Sequence, residues 1–151
     1  MNRKEIAMNK FKEGYNCAQA VVLAYSDLLD MDESTLAKLS SSFGGGFGRM
    51  REICGSVSGM GMVLGLLYGY DDSSSKEDKA AHYERIQEVA RAFEEKNGSI
   101  VCRELLGLSQ KHDSPTPEAR TEGYYKKRPC VELVGDSAEI LEDYISKHPY
   151  K

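Results

Sequence analysis

The 151-residue sequence has no tryptophan, only four prolines and three histidines, and no two cysteines spaced as CxxC. The missing CxxC excludes a thioredoxin-type motif, a zinc ribbon and a covalently attached haem of the CxxCH kind. Long apolar runs are also missing. The longest, Met60 to Tyr70, is interrupted by Gly61, Gly65 and Gly69, and a bilayer span needs about 20 residues, so no membrane insertion is expected. The opening MNRKEIAMNKFKEGYN lacks an apolar core with a small-residue cleavage site, so it does not read as a signal peptide. Positive charge is in short supply as well. The formal net charge is −4 and no basic stripe is visible, which argues against nucleic acid, whose binding runs on phosphate neutralisation. The expected address is the cytoplasm, where thiols stay reduced.

What is present is an ordinary globular composition, 40% apolar and 29% charged. The length suits one soluble domain over residues 1–151. A chain of this size buries roughly 70% of its unfolded surface, so it needs no metal or disulfide merely to fold, and its four cysteines are free for another task.

The periodicity predicts an all-α helical bundle. Ile6, Ala7, Phe11, Ala18, Val21, Val22 and Tyr25 recur at helical spacing, with a break expected at Gly14 and Asn16 as the next N-cap. A short helix from Glu33 to Ser41 follows, capped by Asp32. The stretch SSSFGGGFGRMRE cannot favour a helix and reads as a loop. From Cys54 to Tyr68 the chain is apolar almost all round, which places this glycine-rich helix at the centre of the bundle. A fourth long helix, Lys76 to Lys96, opens on a Ser74/Glu77 capping box and buries Tyr83, Ile86, Val89, Ala90 and Phe93. Ser99 can cap a short helix through Cys102. Residues 110 to 129 show no periodicity; loops of that length are lids or lack fixed structure. Pro129 suits the first turn of a helix starting CVELV, with Gly135 as an interruption.

Each cysteine, Cys17, Cys54, Cys102 and Cys130, falls at a predicted helix start. Helix N-termini carry unpaired N–H groups and partial positive charge, which lower a thiol pKa. Arg49 and Arg51 precede Cys54, Arg103 follows Cys102, and Lys126, Lys127 and Arg128 precede Cys130. The pattern predicts thiolates. If the fold gathers them, four thiolates from four helices could ligate an iron–sulfur cluster or zinc, or two pairs could cycle between dithiol and disulfide. Backbone at Gly45, Gly46, Gly55 and Gly59 is expected beside that cluster. His82, His112 and His148 sit in polar surroundings and read as surface residues; Met60 and Met62 read as core. Ser56 and Ser58 have no evident His and Asp partners for hydrolase chemistry.

The order YNCAQAV, a glycine loop leading into CGSVSG, a cysteine before LLG and a cysteine after proline resembles the redox-active C_GCAxxG_C_C proteins of bacteria and archaea. The resemblance runs from about Phe11 to Tyr144 and maps its landmarks onto Cys17; Cys54, Gly55 and Gly59; Cys102; and Cys130. Ser56 stands where that family usually has alanine. The resemblance implies redox activity and electron exchange with a partner protein. The competing expectation is a non-catalytic helical interaction module with buried structural cysteines, its apolar helix serving a homo-oligomer interface.

Overall fold

The protein was analysed as a computed structural model that describes residues 1–109 and 113–150. Its helices are α1 (Arg3–Lys12), α2 (Cys17–Leu23), α3 (Glu33–Ser40), α4 (Gly55–Tyr68), α5 (Lys76–Asn97), α6 (Cys102–Leu105), α7 (Glu122–Lys127) and α8 (Cys130–Lys147). Among the described residues the only β pairing is one antiparallel bridge, Ile53 with Val101. The fold is all-α, as the periodicity predicts, and no described helix is long and apolar enough to cross a membrane.

Local chemistry sets most boundaries. Glu13 ends α1, Gly14 takes φ +116, and Asn16 then opens α2 with a complete capping box to Gln19. Asp32 caps α3 through Thr35 N. Two expected caps sit elsewhere. Ser75, not Ser74, caps α5, accepting from Asp78 N. Ser99 does not cap α6; its Oγ accepts from Val101 N (2.9 Å) and donates to Glu104 (2.7 Å), tightening the turn before the helix. The stretch read as structureless also holds α7, opened by Thr121 Oγ1 accepting from Tyr124 N. At six residues α7 is too short to show a periodic stripe, so its Thr121 cap has no pattern after it to mark it.

One hydrophobic core joins the helices. Ala18 and Ala20 through Tyr25 are all buried, so α2 is an inner helix, touching α1, α3, α4 and α8. The glycine-rich α4 packs on α2, α5 and α8. Met60, Val63 and Leu64 are fully buried, each contributing about 1.5–3 kcal/mol through burial. Its opposite side is outward, with Leu66 45% exposed. Gly135 does not interrupt α8, because its missing Cβ makes room for Met8 of α1. Tyr83 lies outside the core at 54% exposure. It starts the apolar stripe of α5 beyond the reach of α4 and meets the Tyr70 hydroxyl instead.

The glycine loop is the least ordinary backbone in the chain. After a 3-10 turn at Ser41–Phe43, the φ angles of Gly45, Gly46, Phe47, Gly48 and Arg49 are all positive, between +61° and +72°. This is a turn of left-handed sense. Arg51 also has φ +60. The turn closes on itself through Arg51 N to Gly45 O (3.1 Å) and Glu52 N to Gly46 O (2.9 Å), and it delivers the chain to the bridge that precedes α4.

Candidate functional site

Each cysteine begins or caps a helix, as expected. Cys17 is the first residue of α2, Cys54 is the N-cap of α4, Cys102 opens α6, and Cys130 opens α8 after Pro129. Two of them share a clip. The Ile53–Val101 bridge carries hydrogen bonds from Cys54 N to Ile100 O (2.8 Å) and from Cys102 N to Glu52 O (2.6 Å). The backbone thereby holds Cys54 and Cys102 at a fixed spacing although 48 positions apart in sequence.

All four cysteines line one cavity of about 410 Å³, at the end of the bundle where α2, α4, α6 and α8 begin. Cys54 and Cys102 are buried, Cys17 and Cys130 half-buried, and all four are free thiols. Cys17 and Cys102 each act electrostatically on Cys54 and Cys130, and Cys17 acts on Cys102 as well.

Cys54, Cys102 and Cys130 are shifted away from the thiolates that their helix positions predict. Burial pushes Cys54 well up, and Cys17 adds to the push. Burial raises Cys102, against a lowering pull from Arg51. Burial pushes Cys130 up to about 12, with Cys17 and Cys102 adding to it. The magnitudes explain the reversal. A helix terminus offers about 0.3–1 kcal/mol, less than one pKa unit at 1.36 kcal/mol each, whereas burial shifts a group by up to 3–5 units.

The basic neighbours are also distributed differently from their sequence positions. Arg51 turns from Cys54 to Cys102, with Nη1 3.6 Å from its Sγ, and its Nη2 pairs with Asp113 at 3.2 Å. Arg49 pairs with Asp113 at 3.4 Å. Arg103 faces Glu52 (3.1 Å) rather than its neighbour Cys102. Arg128 pairs with Glu118 and lowers both Cys102 and Cys130. Lys127 pairs with Glu118 as well.

The four glycines divide. A Cβ on Gly55 would overlap Cys17 Sγ, and one on Gly46 would stand 2.7 Å from Cys102 Cβ. Gly45 lies along the cavity beside Arg49 and Arg51. Gly59 has no such place; it lets Ala18 and Val21 of α2 approach α4. His112 lies outside the described residues. His82 contacts Arg85 Nη1 at 2.9 Å, and His148 stacks on Tyr144, so both are half-buried rather than free in solvent.

Neither the contact of Ser56 with a cysteine nor the place of Tyr124 beside the cavity is visible in the sequence. Ser56, fully buried, holds its Oγ 3.0 Å from Cys54 Sγ. Tyr124 lines the cavity with Cys130, and its hydroxyl is pushed up to about 12 by burial, with Cys130 adding to the push. Ser56 pulls the Cys54 pKa down, so Ser56→Ala should move Cys54 titration to still higher pH. A Cys54-specific alkylation profile, read by peptide mass, checks this; an unmoved profile would show that the hydroxyl does nothing for the thiol.

The arrangement does not form a ready ligand set. Among the described residues no group of three or more His, Cys, Asp or Glu side chains could hold a metal ion. As placed, the four cysteines therefore do not stand as a ligand set for zinc or an iron–sulfur cluster.

No match was found among curated proteins or among solved structures. A family model described as "Putative redox-active protein (C_GCAxxG_C_C)" matches residues 15–144, which include all four cysteines, Gly46, Ser56 and Arg51. The chain belongs to this C_GCAxxG_C_C family.

Proposed function

We propose that the protein is a thiol–disulfide redox protein whose working groups are Cys17, Cys54, Cys102 and Cys130. The observation that carries this reading is the meeting of all four, from four separate helix starts, around one cavity. Two thiols joining as a disulfide release two electrons and two protons, which an acceptor disulfide takes up as it becomes two thiols. Cys102, with Arg51 and Arg128 beside it, is the thiol best supported as the attacking thiolate. Gly46 and Gly55 bring the backbone against Cys102 and Cys17; we assign them a positioning part. The electron donor or acceptor is then a protein or small molecule that reaches the cavity.

Oxidation of the native protein with diamide, followed by denaturation, alkylation and mass measurement, tests this. The expected result is loss of two or four of the four free thiols, restored by dithiothreitol. Four thiols that all remain alkylatable after oxidation, in a protein that is still folded, would overturn the redox reading and favour inert structural cysteines.

A further inference from the structure

The walls of the cysteine cavity carry a charge opposite to that of the whole chain. The sequence has a formal net charge of −4. The cavity nevertheless has Arg49, Arg51, Arg120 and Arg128 in its lining against one carboxylate, Glu118. Asp113 answers both Arg49 and Arg51, and Glu118 answers both Arg128 and Lys127. Two carboxylates thus serve four cations, and Arg120 is left over. Among the described residues no carboxylate lies within ion-pair reach of it. Its Nη atoms donate to the backbone oxygens of Phe11 and Tyr15, and its guanidinium lies over the Phe11 ring at 3.9 Å. Neutral acceptors and an aromatic face fix the group in place without cancelling its charge.

A second observation points the same way. Arg51 is only 5% exposed, yet its Nε has no hydrogen-bond partner. A buried donor on a charged group without an acceptor is costly. Cys54, Cys102 and Cys130 do not supply the missing negative charge at neutral pH, because burial raises all three. The remaining lining is apolar at Leu105, Leu106 and Leu133. A volume of about 410 Å³ is within the roughly 300–1,000 Å³ typical of small-molecule sites.

We infer that the cavity takes a low-molecular-weight anionic disulfide, or the thiol it becomes, with a carboxylate on Arg120 and its sulfur toward the cysteines. This rests on the redox reading above. In the step, a cysteine thiolate attacks one substrate sulfur, the substrate S–S bond breaks, and its other half leaves as a thiolate that takes up a proton. A second cysteine thiolate then attacks the mixed disulfide, releasing the second half as thiol and closing a protein disulfide. The substrate gains two electrons and two protons; the protein loses the same.

The test uses three disulfides of nearly equal size on the reduced wild-type protein: dithiodipropionate (anionic), bis(2-hydroxyethyl) disulfide (neutral) and cystamine (cationic). Rates are divided by those of 2-mercaptoethanol, a thiol with no other charged group, with the same reagents. The expected result is an anionic rate about tenfold or more above the cationic one, collapsing at high salt. Arg120→Gln should reduce the anionic rate about fivefold and leave the neutral rate within about twofold; Arg120→Lys should recover part of it. Equal normalised rates, or a cationic preference, would overturn the anionic substrate while leaving thiol chemistry in place. No reaction with any of the three in a folded protein would overturn both.

Discussion

Gly46→Ala should cost about 2–5 kcal/mol of stability, while Gly48→Ala, two residues on, should cost only about 1–2 kcal/mol. Both glycines have positive φ, +69° and +61°, so both substitutions carry the left-handed backbone penalty of about 1–2 kcal/mol. Only Gly46 is crowded. A Cβ there would sit 2.7 Å from Cys102 Cβ, 2.7 Å from Glu52 N and 2.9 Å from the Arg51 carbonyl carbon; at Gly48 nothing lies within 4 Å. Two of those three neighbours are backbone and cannot swing aside. Relief requires Glu52 and Cys102 to separate, which pulls on the 2.6 Å hydrogen bond from Cys102 N to Glu52 O. Urea unfolding of both variants measures the difference. Equal costs would mean that the left-handed turn is not packed against Cys102. The same variant should also slow disulfide formation involving Cys102, since the clip that spaces it from Cys54 is the part displaced.

The strain in this turn is not confined to glycine. Phe47, Arg49 and Arg51 hold positive φ with full side chains, at about 1–2 kcal/mol each. Surrounding contacts hold two of them there: Arg49 Nε donates to Ser114 O at 2.6 Å, and Arg51 is fixed by Asp113 and Cys102. Strained non-glycine residues that persist only because their surroundings over-determine them cluster at functional sites. Here the strain aims Arg51 at Cys102 instead of at its sequence neighbour Cys54.

What could be read from the sequence was whatever depended on neighbours a few residues away. The Asn16 and Asp32 caps are short-range chemistry, and they place Cys17 and α3 correctly. The apolar run after Cys54, Pro129 before Cys130 and the glycines of Gly44–Gly48 are equally local, whereas the start at Cys102 is reached without the Ser99 cap expected for it. What could not be read was set by distant partners. Nothing local says that Arg51 reaches Asp113 across 62 positions, or that Arg120 reaches back to Phe11 across 109. Tyr83 shares the helical spacing of Ile86 and Val89 but overshoots the partner helix. The thiol pKa values failed for the same reason. Dipole and sequence-adjacent charge are visible in a string of letters, whereas burial is a property of the assembled bundle, and burial is the larger effect.

That contest between helix terminus and burial has a measurable consequence at alkaline pH. Cys54, Cys102 and Cys130 are all raised, Cys130 to about 12. In the unfolded chain each thiol ionises near about 8.5. Between that value and the raised one, the unfolded chain has lost protons that the fold still holds, so stability must fall as pH rises. The fall is about 1.4 kcal/mol per pH unit for each such thiol. From about pH 9 to 10, Cys54 and Cys130 together remove about 2.7 kcal/mol, and Cys102 adds to the fall, a large share of a typical 5–15 kcal/mol. Lysines and tyrosines also titrate here, so the decisive measurement is a difference. Cys130→Ser should make the slope of unfolding free energy against pH shallower by about 1.4 kcal/mol per unit over this window, whatever it does to stability at pH 7. Alkylation of Cys130 in the folded wild type should keep rising about tenfold per pH unit past pH 10, where an ordinary thiol has levelled off. Cys17→Ser removes a like charge from all three remaining thiols, so their profiles should move to lower pH together. A Cys130 profile that levels off by pH 9, with no change of slope in Cys130→Ser, would mean that the four helix starts outweigh burial and that the resting site already holds thiolate.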